Sequence, residues 1–213
     1  MSKTIYISPS SQPANLYAVG DTNEQIQCRK IGAALEAALN RCGFTAKAGL
    51  EGTMYTRVAA SNAMAADLHL PVHTNAFDGT VAGLRIMVSK LGGEAEAIAK
   101  AIMAQLAPIT PGKSDGIRVQ SGLYEIKATT APCVYVEAGF HDNKEEAQWI
   151  IDHTGDIAEA ICKALCDHYG VPYQAAAEQT VYRVQVGAFY NKAYAENLKK
   201  ELTEKGYEAF IVS

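Results

Sequence analysis

Two apolar runs, each ending on an ionisable group, constrain this chain more than any other feature. Leu68-His69-Leu70-Pro71-Val72 leads into His73-Thr74-Asn75-Ala76, and Cys133-Val134-Tyr135-Val136 leads into Glu137-Ala138-Gly139-Phe140-His141-Asp142-Asn143. Short apolar runs of this kind read as buried strands. In an open α/β sheet the ligand crevice lies outside the carboxyl ends of the strands. His73 and Glu137 therefore read as two walls of one site. A carboxylate in the position of Glu137 is costly to bury without a partner, which points to a metal, a hydrogen-bond network or catalysis.

Residues 23–42 read as an amphipathic helix, with Cys28, Ile31, Leu35, Ala38 and Cys42 on one face. One turn back from Cys28, Glu24 falls on that same apolar face, either as a site residue or as a first-turn carboxylate favoured by the helix dipole. Strand and helix patterns alternate along the chain. Strands are expected over 4–8, 44–49, 68–73, 81–90, 124–127 and 133–137. Helices are expected over 23–42, over 55–66, from Gly92-Gly93 onward with Ile98, Ile102 and Leu106 buried, and twice more before Tyr169-Gly170. Pro71 removes a ladder donor, so a bulge or an unpaired N–H is expected there. The pattern predicts an α/β fold, a mostly parallel twisted sheet with helices on both faces.

With 213 residues, a well-buried core is within reach. The net charge of −4 argues against a nucleic-acid partner or an anionic membrane surface. No apolar stretch approaches the roughly 20 residues that span a bilayer. The start, Met1-Ser2-Lys3-Thr4-Ile5, carries no signal-peptide core, so cytoplasmic synthesis with later action elsewhere is the expectation. The five cysteines, at 28, 42, 133, 162 and 166, read as reduced core thiols. Cys162 and Cys166 lie one helical turn apart, but no partner near them in sequence suggests a metal clip. His69 reads as a packed strand histidine, and His153 and His168 are assigned no role.

From about Lys3 to Tyr169 the chain resembles the zinc-dependent N-acetylmuramoyl-L-alanine amidases of the amidase-3 type. The resemblance rests on Ile5-Tyr6-Ile7-Ser8-Pro9, Asn23-Glu24-Gln25, Tyr55-Thr56-Arg57, and Ala66-Asp67-Leu68 through His73-Thr74-Asn75-Ala76. It continues with Ala131-Pro132-Cys133 through Glu137-Ala138-Gly139-Phe140. It implies that Glu24 and His73 are zinc ligands, that Glu137 is the catalytic acid/base, and that the substrate is peptidoglycan, cut between N-acetylmuramoyl and L-alanine. The family's first ligand is a histidine in the turn after strand one; here Ser11 stands in its place. A catalytic zinc normally has three protein ligands plus water, so the third is open between the amide of Gln12 (or of Asn15) and His141, which reads more readily as a surface loop residue than as a ligand. Arg57 and Asn75 are candidates for loop support or substrate contact. A degenerate, non-catalytic wall binder and a metal-dependent stem-peptide peptidase are the alternatives.

The division expected is residues 1–171 as the catalytic domain, 172–180 as an Ala/Gln/Glu-rich linker and 181–213 as a small βαβ unit. In that unit, strand 181–189 and strand 207–212 flank helix 191–205. Val184-Gln185-Val186-Gly187-Ala188-Phe189 makes this tail similar to the first half of a SPOR domain, which implies binding to glycan strands. A unit of 33 residues cannot bury an adequate core alone. Pairing with another copy's half, docking on the first domain or poor order are the options. A wall enzyme without a signal peptide fits a phage or prophage endolysin, release by mother-cell lysis, or recycling of wall fragments.

Overall fold

The structure, a computed structural model, describes residues 2–177, 184–207 and 209–211. Six strands, β1 (Thr4–Pro9), β2 (Thr45–Ala48), β3 (Leu68–Asn75), β4 (Arg85–Val88), β5 (Gly116–Val119) and β6 (Tyr135–Phe140), form a sheet in the order β2-β1-β3-β6-β4-β5. Every neighbouring pair is parallel except β4 and β6. The helices are α1 (Glu24–Arg41), α2 (Met54–Ala63), α3 (Glu94–Leu106), α4 (Tyr124–Ala128), α5 (Lys144–Asp152), α6 (Thr154–Tyr169) and α7 (Lys192–Glu204).

Strand alternation sorts the side chains into two faces. Ile5 and Ile7 of β1 and Leu68, Leu70 and Val72 of β3 share one core with Ile31 and Leu35 of α1 and Ile161 and Leu165 of α6. The intervening positions face a smaller cluster of Met87, Ile126, Cys133 and Tyr135, closed by α4. α1 begins at Asn23, whose side chain accepts the Ile26 N–H at 3.0 Å. α1 lies directly on the end of β1, because Gly32 has no side chain there: a Cβ would come within 2.4 Å of Pro9 Cγ. This close approach holds the first turn of α1 against the carboxyl ends of the central strands.

Several expectations are corrected. Residues 124–127, expected as a strand, form α4, and β5 was not expected at all. Alternation is ambiguous over so few residues, and the tertiary setting decides. The strand expected over 81–90 is only β4: Gly83 bends the chain at φ +117, and Lys113 O occupies the space a Cβ there would need. β3 runs through Pro71, which pairs with Ser8; the irregularity falls two residues later, between His73 and Asn75 opposite Glu137 and Phe140.

The loop before β4 is held from below by the segment after β6. Asp142 Oδ2 accepts the N–H groups of Phe77 at 2.8 Å and Gly79 at 2.9 Å. Glu146, fully buried, accepts those of Gly83 at 2.8 Å and Phe140 at 2.7 Å. Glu146→Ala strands two buried backbone donors and should cost about 2–3 kcal/mol. A loss below that range, taken as the urea midpoint shift multiplied by an unchanged slope, would count against the two bonds as the loop's anchor.

The chain divides at Ala176/Ala177 into two units. In the second, α7 is capped by Asn191, whose side chain accepts the Ala193 N–H at 2.9 Å. Residues 184–189 and 209–211 form no strand; 181–183, 208 and 212 lie outside the described residues. Two strands and one helix cannot bury enough apolar surface to hold a sheet by themselves. Among the described residues, no helix is long and apolar enough to cross a membrane.

Candidate active site

The bulge at the end of β3 and the parallel register place His73 directly beside Glu137. From α1, Glu24 reaches the same point: its Oε1 lies 2.9 Å from His73 Nδ1, and the side chain is 1% exposed. Asn15 in the preceding loop fixes it, donating from Nδ2 to Glu24 Oε2 at 2.6 Å while its carbonyl accepts the Glu24 N–H at 2.9 Å. Glu24 is thus not the helix cap; Asn23 is. The imidazole of His73 stacks on Tyr135, with ring centroids 4.5 Å apart.

The candidates for a third ligand separate clearly. The Gln12 amide lies 3.5 Å from His73 Nδ1. His141 does not join the group: its Nδ1 meets Thr74 Oγ1 at 3.0 Å and its ring stacks on Tyr17. Nor is it a surface residue, being only 4% exposed. A polar group enters the interior where partners await it, and here Thr74 and Tyr17 supply them. Ser11 turns away as well, accepting from Arg57 Nη2 at 3.0 Å. Arg57 is buried at 2% exposure, so it supports this turn and is no surface charge. The Asn75 side chain bonds the N–H of Ala76 at 2.9 Å, a local loop contact.

On its far side His73 meets a group that sequence reasoning missed. Glu125, on α4, has Oε2 3.8 Å from His73 Nε2, while its Oε1 accepts from Ser8 Oγ and lies 3.3 Å from His69 Nε2. Misreading 124–127 as a strand hid it; the one available signal was a carboxylate between Tyr124 and Ile126. His69, read as a packed strand histidine, is fully buried against Glu125 and stacked on Tyr6.

The electrostatics follow from three carboxylates around one imidazole. Burial disfavours charge on His73, but its contacts with Glu125 and Glu24 and the field of Glu137 outweigh that and push its pKa up to about 9. Burial alone would raise Glu125, yet its contacts with His69, His73 and Ser8 bring it down to about 2. Glu24 is likewise lowered, its contact with His73 outweighing burial. Glu137 behaves differently. Desolvation pushes it up to about 7, with His73 pulling down and Glu24 pushing up. Its Oε2 is shut from solvent and has no hydrogen-bond partner among the described residues, and the same holds for His73 Nε2.

This donor set fits a divalent cation. A buried cluster of carboxylates around a neutral imidazole needs positive charge, and an ion can replace the proton that His73 otherwise carries. Carboxylate, imidazole and amide oxygen suit zinc or a harder divalent ion. Among the described residues, no third His, Cys, Asp or Glu atom lies within 4.8 Å of both the Glu24 and the His73 donor atoms.

The family model described as N-acetylmuramoyl-L-alanine amidase matches residues 10–167, and the SPOR domain model matches 178–213. An N-acetylmuramoyl-L-alanine amidase of Bacillus licheniformis, CwlM, is 27% identical over 158 residues. That match covers 73% of this chain and 60% of the relative, so the chain spans under two thirds of that protein's length. The catalytic domain of the amidase CwlV from Paenibacillus polymyxa superposes with a TM-score of 0.71 at 18% identity, covering 80% of this chain and 99% of that one. The amidase AmiC2 of Nostoc punctiforme gives 0.69 at 20% identity, covering 79% and 97%. At these identities the solved structures establish the shared fold of the first unit.

Proposed function

The chain belongs to the N-acetylmuramoyl-L-alanine amidase family, and on that premise we propose that it hydrolyses the amide between the N-acetylmuramoyl lactyl group and L-alanine in peptidoglycan, using zinc. The observation that carries the reading is Glu137: a partnerless carboxylate oxygen with a pKa pushed up to about 7, beside a Glu24–His73 pair that converges on one point. Zinc bound there would supply a Lewis acid to polarise the carbonyl and lower the pKa of a bound water toward roughly 7. Glu24 and His73 would hold the ion, and the Gln12 amide, turned to present its oxygen, would be the third donor. Glu137 takes the proton of the attacking water and returns it to the leaving amine, which a carboxyl titrating near neutrality can do in both directions. Asn15 and Tyr135 fix the two ligands.

Glu125 faces His73 Nε2 from 3.8 Å, so its negative charge favours that ring orientation, the place outer-shell carboxylates commonly take beside metal-bound histidines. Glu125→Gln should therefore weaken zinc binding about 10- to 100-fold while the chain stays folded. Competition with a chromophoric chelator measures this, and an unchanged affinity would reduce Glu125 to a structural role.

The second unit, by its SPOR match, is the candidate glycan-binding part. Pairing between two copies through this unit is part of the reading, and light scattering of the full chain would register it as a dimer. Action would then lie on the wall itself. Incubation with purified muropeptides tests the whole reading: the expected products are intact glycan carrying a free lactyl carboxylate and stem peptides with a new L-alanine amino terminus. Cuts inside the stem peptide would indicate a peptidase. Binding without products would indicate a degenerate binder, the reading favoured by Ser11 pairing with Arg57 instead of facing the metal.

A further inference from the structure

The seam between α1 and α6 carries a second group of metal-ligating side chains. Cys42 caps α1 at the end opposite Glu24, about 27 Å along the helix axis, and Cys162 and Cys166 occupy successive turns of α6. Their three sulfurs all lie within 4.8 Å of one another, with Cys42 and Cys162 3.6 Å apart, and none of the three residues is more than 3% exposed. The sequence offered no partner for Cys162 and Cys166; the fold brings one from 120 residues away. Cys28 and Cys133 belong to no such group among the described residues.

The surroundings are organised around the sulfurs. After α6 the chain returns so that the Gln174 N–H donates to Cys42 Sγ at 3.3 Å, and the Gln174 carbonyl lies 3.6 Å from the same atom. Arg41 Nε holds that carbonyl at 2.8 Å and is itself paired through Nη2 with Glu159 at 2.7 and 2.8 Å. Thiols serving only as apolar filler need no such convergence. Sulfurs on one tetrahedral zinc, with bonds of about 2.3 Å, sit about 3.8 Å apart, so this triangle closes on an ion with shifts of about 1 Å or less.

We propose that Cys42, Cys162 and Cys166 form a thiolate site for a thiophilic d10 ion, zinc as the resident metal, with water or the Gln174 carbonyl as the fourth donor. Each sulfur that binds gives its proton to solvent. Burial raises the thiols of Cys162 and Cys166, the latter to about 12, so the ion must supply the charge that stabilises the thiolates. The Gln174 N–H and the Arg41 guanidinium offset the remaining negative charge.

The test titrates the reduced, metal-stripped full chain with Cd²⁺ and follows thiolate-to-cadmium charge-transfer absorbance. A saturable band of one equivalent is expected. It should be lost in Cys162→Ala, retained in Cys28→Ala and Cys133→Ala, and retained in His73→Ala, which separates this site from the proposed catalytic one. No band in the wild-type chain, or an undiminished band in folded Cys162→Ala, would overturn the proposal. If Cys162→Ala does not fold, pulse alkylation of the wild-type chain decides. Zinc should slow labelling of cysteines 42, 162 and 166 selectively, and equal rates with and without zinc would reject the site.

Discussion

His73→Ala will lose one equivalent of zinc and all wall hydrolysis, the largest effect expected of any single change in this chain. Among the described residues, the His73 imidazole is the metal-ligating group that meets Glu24, and it stands at the centre of Glu24, Glu125 and Glu137. Removing it leaves Glu24 and an amide, too few and too weak for a catalytic zinc site. The vacated volume lies on the α4 side of the sheet, away from the larger core, so the fold should survive with a moderate loss of stability. Metal analysis of the purified variant beside the wild type is the check, with circular dichroism as the control. A zinc content equal to that of the wild type would place the catalytic metal elsewhere.

Glu137→Gln should keep both the fold and the metal while lowering turnover by about 10² or more, the scale of a lost general acid/base. The amide has nearly the same shape and cannot take a proton. Its neutrality suits a place that already disfavours the carboxylate, where burial holds Glu137 near 7. Zinc stoichiometry should be unchanged, because Glu24 and His73 are untouched, and the loss should appear in kcat more than in KM. Hydrolysis of wall material at near wild-type rate would make Glu137 structural and remove the proton shuttle from the mechanism.

Much of this was legible in the chain itself, for a local reason. The buried face of a helix or strand is written in its period. The spacing of Cys28, Ile31, Leu35 and Ala38 therefore located α1 and put Glu24 on its inner face, and the apolar runs ending at His73 and Glu137 located two adjacent strand ends. The helix carrying Ile98, Ile102 and Leu106 was readable in the same way. Where the signal shortens to four or five residues, period fails, and 116–128 was misread: β5 went unseen and α4 was taken for a strand, hiding Glu125.

What only the tertiary structure decided is which buried polar groups meet. Periodicity states that a side chain points inward but never names its partner. The pairs that define this protein join distant positions: Ser8 to Glu125, Arg57 to Ser11, His141 to Thr74, and Cys42 to Cys162. His141 could be read as a loop residue and the cysteines as separate core thiols because burying a polar or ionisable group is settled by the partner waiting for it. That partner is chosen by the packing of helices on the sheet. From sequence alone came the strand ends and the helix turn that converge on a site; the fold set Gln12, not His141, beside His73, added Glu125 and gathered three sulfurs at the opposite end of α1.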